Sequence, residues 1–158
     1  MNSLLRIVFL VYFITHIPIT IFVDLQILFG EHYPEPLQQL FAWYIRTYND
    51  QLLVLKPAWL QSFIWAELFA QLPFFFVATY GLLFKRNWIR IPSIIYGAHV
   101  ATTVWAILAE FYTIQTISAE EKFALLGFYA PYLVIPLLLT FYMAVTPQPF
   151  GDHQKKTK

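Results

Sequence analysis

Four apolar stretches, roughly residues 4–29, 58–84, 88–112 and 123–145, each reach or exceed the ~20 residues a helix needs to cross the hydrocarbon of a bilayer. Few folds are open to such a chain. Inside hydrocarbon every backbone N–H and C=O must be paired within the protein, which a helix achieves alone and an open strand does not. Only 12% of the residues are charged, about half the roughly 25% of a soluble domain. Residues 1–145 therefore read as one all-α domain, a four-transmembrane-helix bundle, and residues 146–158 as its tail. No soluble domain and no nucleic-acid partner are expected.

The first stretch is longer than the ~7–15-residue core of a secretory signal. Its end, Phe22-Val23-Asp24-Leu25-Gln26, offers no small-residue cleavage site, so it is expected to remain as a span. Without cysteine there is neither disulfide nor thiolate chemistry. If the spans alternate, Arg6, Lys85, Arg86, Arg90, Lys155, Lys156 and Lys158 share one side, and Arg46, Lys56 and Lys122 the other. Seven cations against three put both termini in the cytosol, because positive loops stay inside. There Lys155 and Lys156, fourth and third from the end, fit a dilysine retrieval signal of the endoplasmic reticulum. The alternative is a basic tail held at anionic lipid.

Asp24 and Glu67 lie inside the apolar stretches, where a charge costs ~2.5–3.5 kcal/mol on insertion scales. A plain anchor has no use for such residues, so an intramembrane acid marks a candidate site. His16, Thr20 and Asp24 recur at i, i+4 and i+8 and form one drifting polar stripe. Glu67 and Gln71 share a face in the second span, followed by Pro73. In the third, His99, Thr103 and Glu110 lie within about 40° of one another at 100° per residue. The fourth offers Tyr129 and Tyr132, with breaks expected at Pro131 and Pro136. Between the first two spans, Leu37, Leu40, Phe41, Tyr44, Ile45 and Tyr48 predict a short amphipathic helix. It would lie on the membrane or over the bundle mouth, with Trp43 and Asp50 flanking the entrance.

Four stripes buried against one another enclose a polar-floored, aromatic-walled cavity toward the luminal half. Asp24 and Glu67, one ionised and one neutral, would hold a cationic amine there. The plainer reading has each acid bonded to a neighbouring helix. His16 and His99 lack the spacing of a paired-histidine motif, so no metal and no cofactor are expected. Acid–base chemistry on a carbon skeleton also suits a carboxyl and a histidine in an apolar pocket, and sequence does not separate binding from reaction.

His16-Ile17-Pro18-Ile19-Thr20, Asp24-Leu25-Gln26, Glu67-Leu68, Gln71-Leu72-Pro73-Phe74-Phe75, Trp88-Ile89-Arg90, Ile94-Ile95-Tyr96, His99, Thr102-Thr103 and Tyr129-Ala130-Pro131-Tyr132 follow in that order. This series resembles the sigma-2 receptor branch of the EXPERA family, which includes the emopamil-binding sterol isomerase. The resemblance runs nearly end to end. It implies a homodimeric endoplasmic reticulum protein that binds sterols such as cholesterol or oxysterols, cationic amphiphilic small molecules and membrane lipid. The nuclear envelope and endolysosomal membranes are further implied locations. In that family's pattern Asp24 pairs with the ligand amine, Glu67 is bonded beside it, and Asp50 is a loop aspartate implicated in binding. His16, Trp43, Gln71, Thr103 and Tyr132 occupy pocket positions. The resemblance also implies a part in cholesterol homeostasis through the Niemann–Pick C cholesterol transporter and the low-density lipoprotein receptor. The alternative it carries is a sterol double-bond isomerase. The connection near residues 113–122 is shorter than in that branch, which bears on partner contacts rather than on the cavity.

Overall fold

The computed structural model describes residues 1–151, and Lys155 and Lys156 lie outside them. It is helical throughout, with four membrane-crossing rods at Ser3–His32, Ala58–Leu83, Asn87–Thr113 and Ala119–Val145. The first contains α1 (Ser3–Ile19), a π-turn (Thr20–Asp24) and α2 (Gln26–Phe29). The loop that follows carries α3 (Glu35–Tyr48) and α4 (Gln51–Leu55). The second rod is α5 (Ala58–Ala66), a second π-turn (Glu67–Gln71) and α6 (Leu72–Leu83). The third and fourth are α7 (Arg90–Thr113) and α8 (Ala119–Val145).

Local chemistry sets the ends of these elements. The fourth span starts at Ala119 rather than Phe123 because Ser118 and Glu121 form a capping box. The Glu121 N–H donates to Ser118 Oγ at 3.2 Å, and the Ser118 N–H donates to Glu121 Oε2 at 2.6 Å. Pro36 stands in the first turn of α3, where its missing N–H costs nothing. Asn49 ends that helix in the left-handed region at φ 51°. Asp50 then caps α4, its Oδ1 accepting from the N–H groups of Leu52 and Leu53 at 3.1 and 3.2 Å.

The expected breaks at Pro131 and Pro136 do not occur. α8 runs through both prolines, as helices in hydrocarbon can when neighbours pack over the disturbed turn. Pro136 is buried against α7 at Gly97, whose missing side chain lets the helices touch: a Cβ there would stand 2.6 Å from the Pro136 carbonyl oxygen.

Packing pairs α1 with α6 and α7 with α8. Two apolar cores result. One gathers Phe9, Phe13, Phe75, Leu82, Tyr96 and Met143; the other gathers Leu25, Leu52, Leu60, Ile64, Phe111 and Leu125. The outward faces stay greasy, with Ile14, Phe69, Ile95, Trp105 and Phe141 exposed. Such surfaces are stable against lipid and not against water.

Candidate functional site

Both candidate acids sit on π-turns. The Leu25 N–H bonds the Thr20 carbonyl at 3.0 Å, and the Leu72 N–H bonds that of Glu67; each loop closes five residues back instead of four. Asp24 ends the first such turn and Glu67 begins the second. In a plain α-helix each four-residue step over-rotates by about 40°. The widened turn gives that rotation back, so Asp24 returns to the face that carries His16. Single π-turns of this kind recur at functional sites.

The polar groups meet between the two cores. The Thr20 hydroxyl donates to Glu67 Oε1 at 2.5 Å, and a carboxylate oxygen of Asp24 lies within 4.8 Å of one of Glu67. His16 Nε2 stands 3.9 Å from Glu67 Oε1. His16 stacks on Phe75 at 4.7 Å and meets the rings of Tyr132 and Tyr12 at 4.8 and 5.0 Å. Its Nδ1 is buried without a hydrogen-bond partner.

His16, Asp24 and Glu67 line a cavity of about 230 Å³ together with Gln71, Thr103 and Tyr132. Ile27, Leu60, Ile64, Val100 and Ile107 form apolar walls. Phe41 and Tyr44 of α3 and Leu53 of α4 cover one end, so the amphipathic helix closes the bundle rather than lying apart from it. A few convergent polar groups in a mostly apolar hollow are the usual make-up of a small-molecule site.

Six of the expected residues, His16, Asp24, Glu67, Gln71, Thr103 and Tyr132, thus come together. Trp43 and Asp50 do not reach the cavity wall. Trp43 is half-exposed on α3, edge-on to Tyr48. Asp50 is wholly buried, and besides capping α4 its Oδ2 accepts from the Tyr129 hydroxyl at 3.2 Å. Burial pushes the Asp50 carboxyl above its ordinary range, against the pull of its bonds from Leu53, Tyr129 and Leu52. Burial, with the Asp50 charge nearby, pushes the Tyr44 phenol up as well.

The expected third-span stripe is corrected. Thr103 is buried, but His99 and Glu110 are exposed. The buried face of α7 centres on Val100 and Val104; Thr103 lies on its rim, and the other two lie about 20–40° beyond that rim at 100° per residue. Phe41 and Tyr44, expected on an amphipathic helix, and Tyr129, offered by the fourth span, also line the cavity, and Phe128 joins them without a signal in the sequence. The apolar face of α3 was the signal for the first two.

Residues 36–143 match the EXPERA (EXPanded EBP superfamily) family, a stretch that includes Glu67, Gln71, Thr103 and Tyr132. The chain belongs to the EXPERA family. The first span is covered by full-length relatives. Identity is 41% over 166 residues to Sigma intracellular receptor 2 of Xenopus tropicalis, covering 98% of this chain and 96% of that one. It is 41% over 160 residues to the Homo sapiens protein of the same name, covering 93% and 91%. Efficient mitochondria targeting-associated protein 19 of Schizosaccharomyces pombe is 35% identical over 139 residues, covering 84% and 70%. This EXPERA protein is therefore a sigma-2 receptor-like membrane protein.

Proposed function

We propose that this EXPERA protein is a receptor of the endoplasmic reticulum membrane that binds sterols and cationic amphiphiles and takes part in cholesterol homeostasis. The observation that carries the reading is the meeting of Asp24 and Glu67 in one apolar cavity. Asp24 is the counter-ion of the ligand amine. Glu67, tied to Thr20, holds Asp24 in place, and the apolar walls supply most of the affinity by burial. Both termini face the cytosol, where Lys155 and Lys156 act as a retrieval signal. The proposed partners are a second copy of the chain, the Niemann–Pick C cholesterol transporter and the low-density lipoprotein receptor. In the decisive experiment, Asp24→Asn weakens binding of a protonated amphiphilic amine at least about tenfold, or 1.4 kcal/mol, while the helical fold and melting point persist. Unchanged affinity in the folded variant ends the assignment.

One observation favours a second reading. His16 Nε2 lies 3.9 Å from Glu67 Oε1, an acid–base pair placed to protonate one carbon of a sterol and deprotonate another. The protein would then be a sterol double-bond isomerase, and amines would bind by resembling its carbocation. Purified protein given a zymosterol-type substrate decides. No turnover where an authentic isomerase works retires this reading.

A further inference from the structure

We propose that His16, Asp24 and Glu67 form a binding site for one divalent metal ion of the Zn²⁺ type, which occupies the cavity in competition with organic cations. One carboxylate oxygen each from Asp24 and Glu67 and one imidazole nitrogen of His16 all lie within 4.8 Å of one another. Zinc bonds of about 2.0–2.2 Å set tetrahedral ligands about 3.3 Å apart. The separation of 3.9 Å between His16 Nε2 and Glu67 Oε1 is therefore closed by side-chain rotation of well under a turn.

The imidazole itself is the second observation. His16 is 7% exposed, its Nδ1 has no hydrogen-bond partner, and Glu67 stands too far from Nε2 to accept a bond. Nε2 is the nitrogen that faces Glu67, and no hydrogen bond engages it, so its lone pair is free for an ion that enters between the acids while Nδ1 keeps the ring proton. Tyr12, Phe75 and Tyr132 hold the ring in place, and Thr20 holds Glu67.

Charge and softness narrow the ion. Two carboxylates and a neutral imidazole balance a dication, whereas a monovalent amine leaves one negative charge or demands an extra proton in an apolar hollow. Imidazole beside carboxylate suits zinc and its first-row neighbours; magnesium and calcium prefer oxygen alone. The remaining coordination position faces the cavity, open to water or to an electron-pair donor on a small molecule.

The test uses the full chain, stripped of metal, in lipid nanodiscs. Calorimetry with Zn²⁺ should show one ion per chain. His16→Gln and Glu67→Gln should each weaken it at least about tenfold, since even outer-shell changes cost about 10–100-fold. Zn²⁺ should also displace a bound amine competitively. Binding that is absent, or equal in wild type and His16→Gln, overturns the proposal; the second result would place the ion on exposed histidines such as His32 and His99. Should a variant fail to fold, X-ray absorption of Co²⁺ on the wild-type chain decides: a single imidazole among oxygen donors supports the site, and none or several overturns it. The site shares its acids with the amine reading but does not rest on it. Zinc binding without amine binding would end that reading and leave this one standing, and the converse would do the opposite.

Discussion

Thr20, which has no exposed surface, donates its hydroxyl to Glu67 Oε1 at 2.5 Å and so ties the first span to the second at the floor of the cavity. Both partners come from π-turns. Thr20→Val keeps the branched shape and removes the donor. A buried acceptor left unpaired costs about 1–3 kcal/mol, so the variant should lose stability of about that size in a denaturant titration. Its amine affinity should fall too, because Glu67 is no longer fixed. A variant as stable as wild type with unchanged affinity would show that the bond contributes nothing.

Asp50 tests linkage outside the membrane. Asn caps a helix about as well as Asp, and Ala does not. Asp50→Ala should therefore cost about 1–3 kcal/mol, from the lost cap and the unpaired Tyr129 hydroxyl. Burial raises the folded-state pKa of Asp50 above its ordinary 3.8. The stability this group contributes is then fully present below pH 3.8 and is lost as pH rises through the raised value. Relative to Asp50→Asn, wild type should be at its best near pH 4 and lose ground toward neutrality. Melting curves of the two proteins across that window check the sign. A wild-type advantage that grows with pH would mean its hydrogen bonds outweigh burial.

Two glycines should respond in opposite directions. At Gly97 a methyl group meets the Pro136 carbonyl at 2.6 Å and crowds Thr140. The α7–α8 contact must open, at the ~1–3 kcal/mol typical of overpacking. Gly127 is in α8 with nothing within 4 Å of its would-be Cβ. Gly127→Ala should stabilise by about 0.4–1 kcal/mol, chiefly by restricting the unfolded chain. Equal melting points for the two variants would contradict the close approach.

Ser118→Ala removes one arm of the capping box of α8. A loss of about 0.5–2 kcal/mol is expected, with Glu121→Gln retaining most of the stability because Gln also completes the box. Thermal melts of both variants, compared with wild type, measure the cap.

The four spans were legible because apolar length is a property of consecutive residues, and a bilayer demands it wherever the segment packs. The polar row His16, Thr20 and Asp24 was legible for a similar reason: spacing along one helix fixes a shared face. Glu67 and Gln71 followed in the same way. Tertiary structure decided the rest. Whether a residue at the rim of a stripe is covered depends on the neighbouring helix, which is why Thr103 is buried while His99 and Glu110 are not. Asp50 reads as a loop acid in one dimension and becomes a buried cap only when α8 brings Tyr129 to it. The π-turns at Thr20–Asp24 and Glu67–Gln71 leave no mark in hydropathy, since one extra residue in a turn is a compromise between packing partners. The chain's own order of residues thus required a bundle of lipid-facing helices with acids inside it. Only the packing of those helices brought the acids, the histidine and the covering α3 around a single hollow, because distances between separate segments are set by contacts that no local pattern encodes.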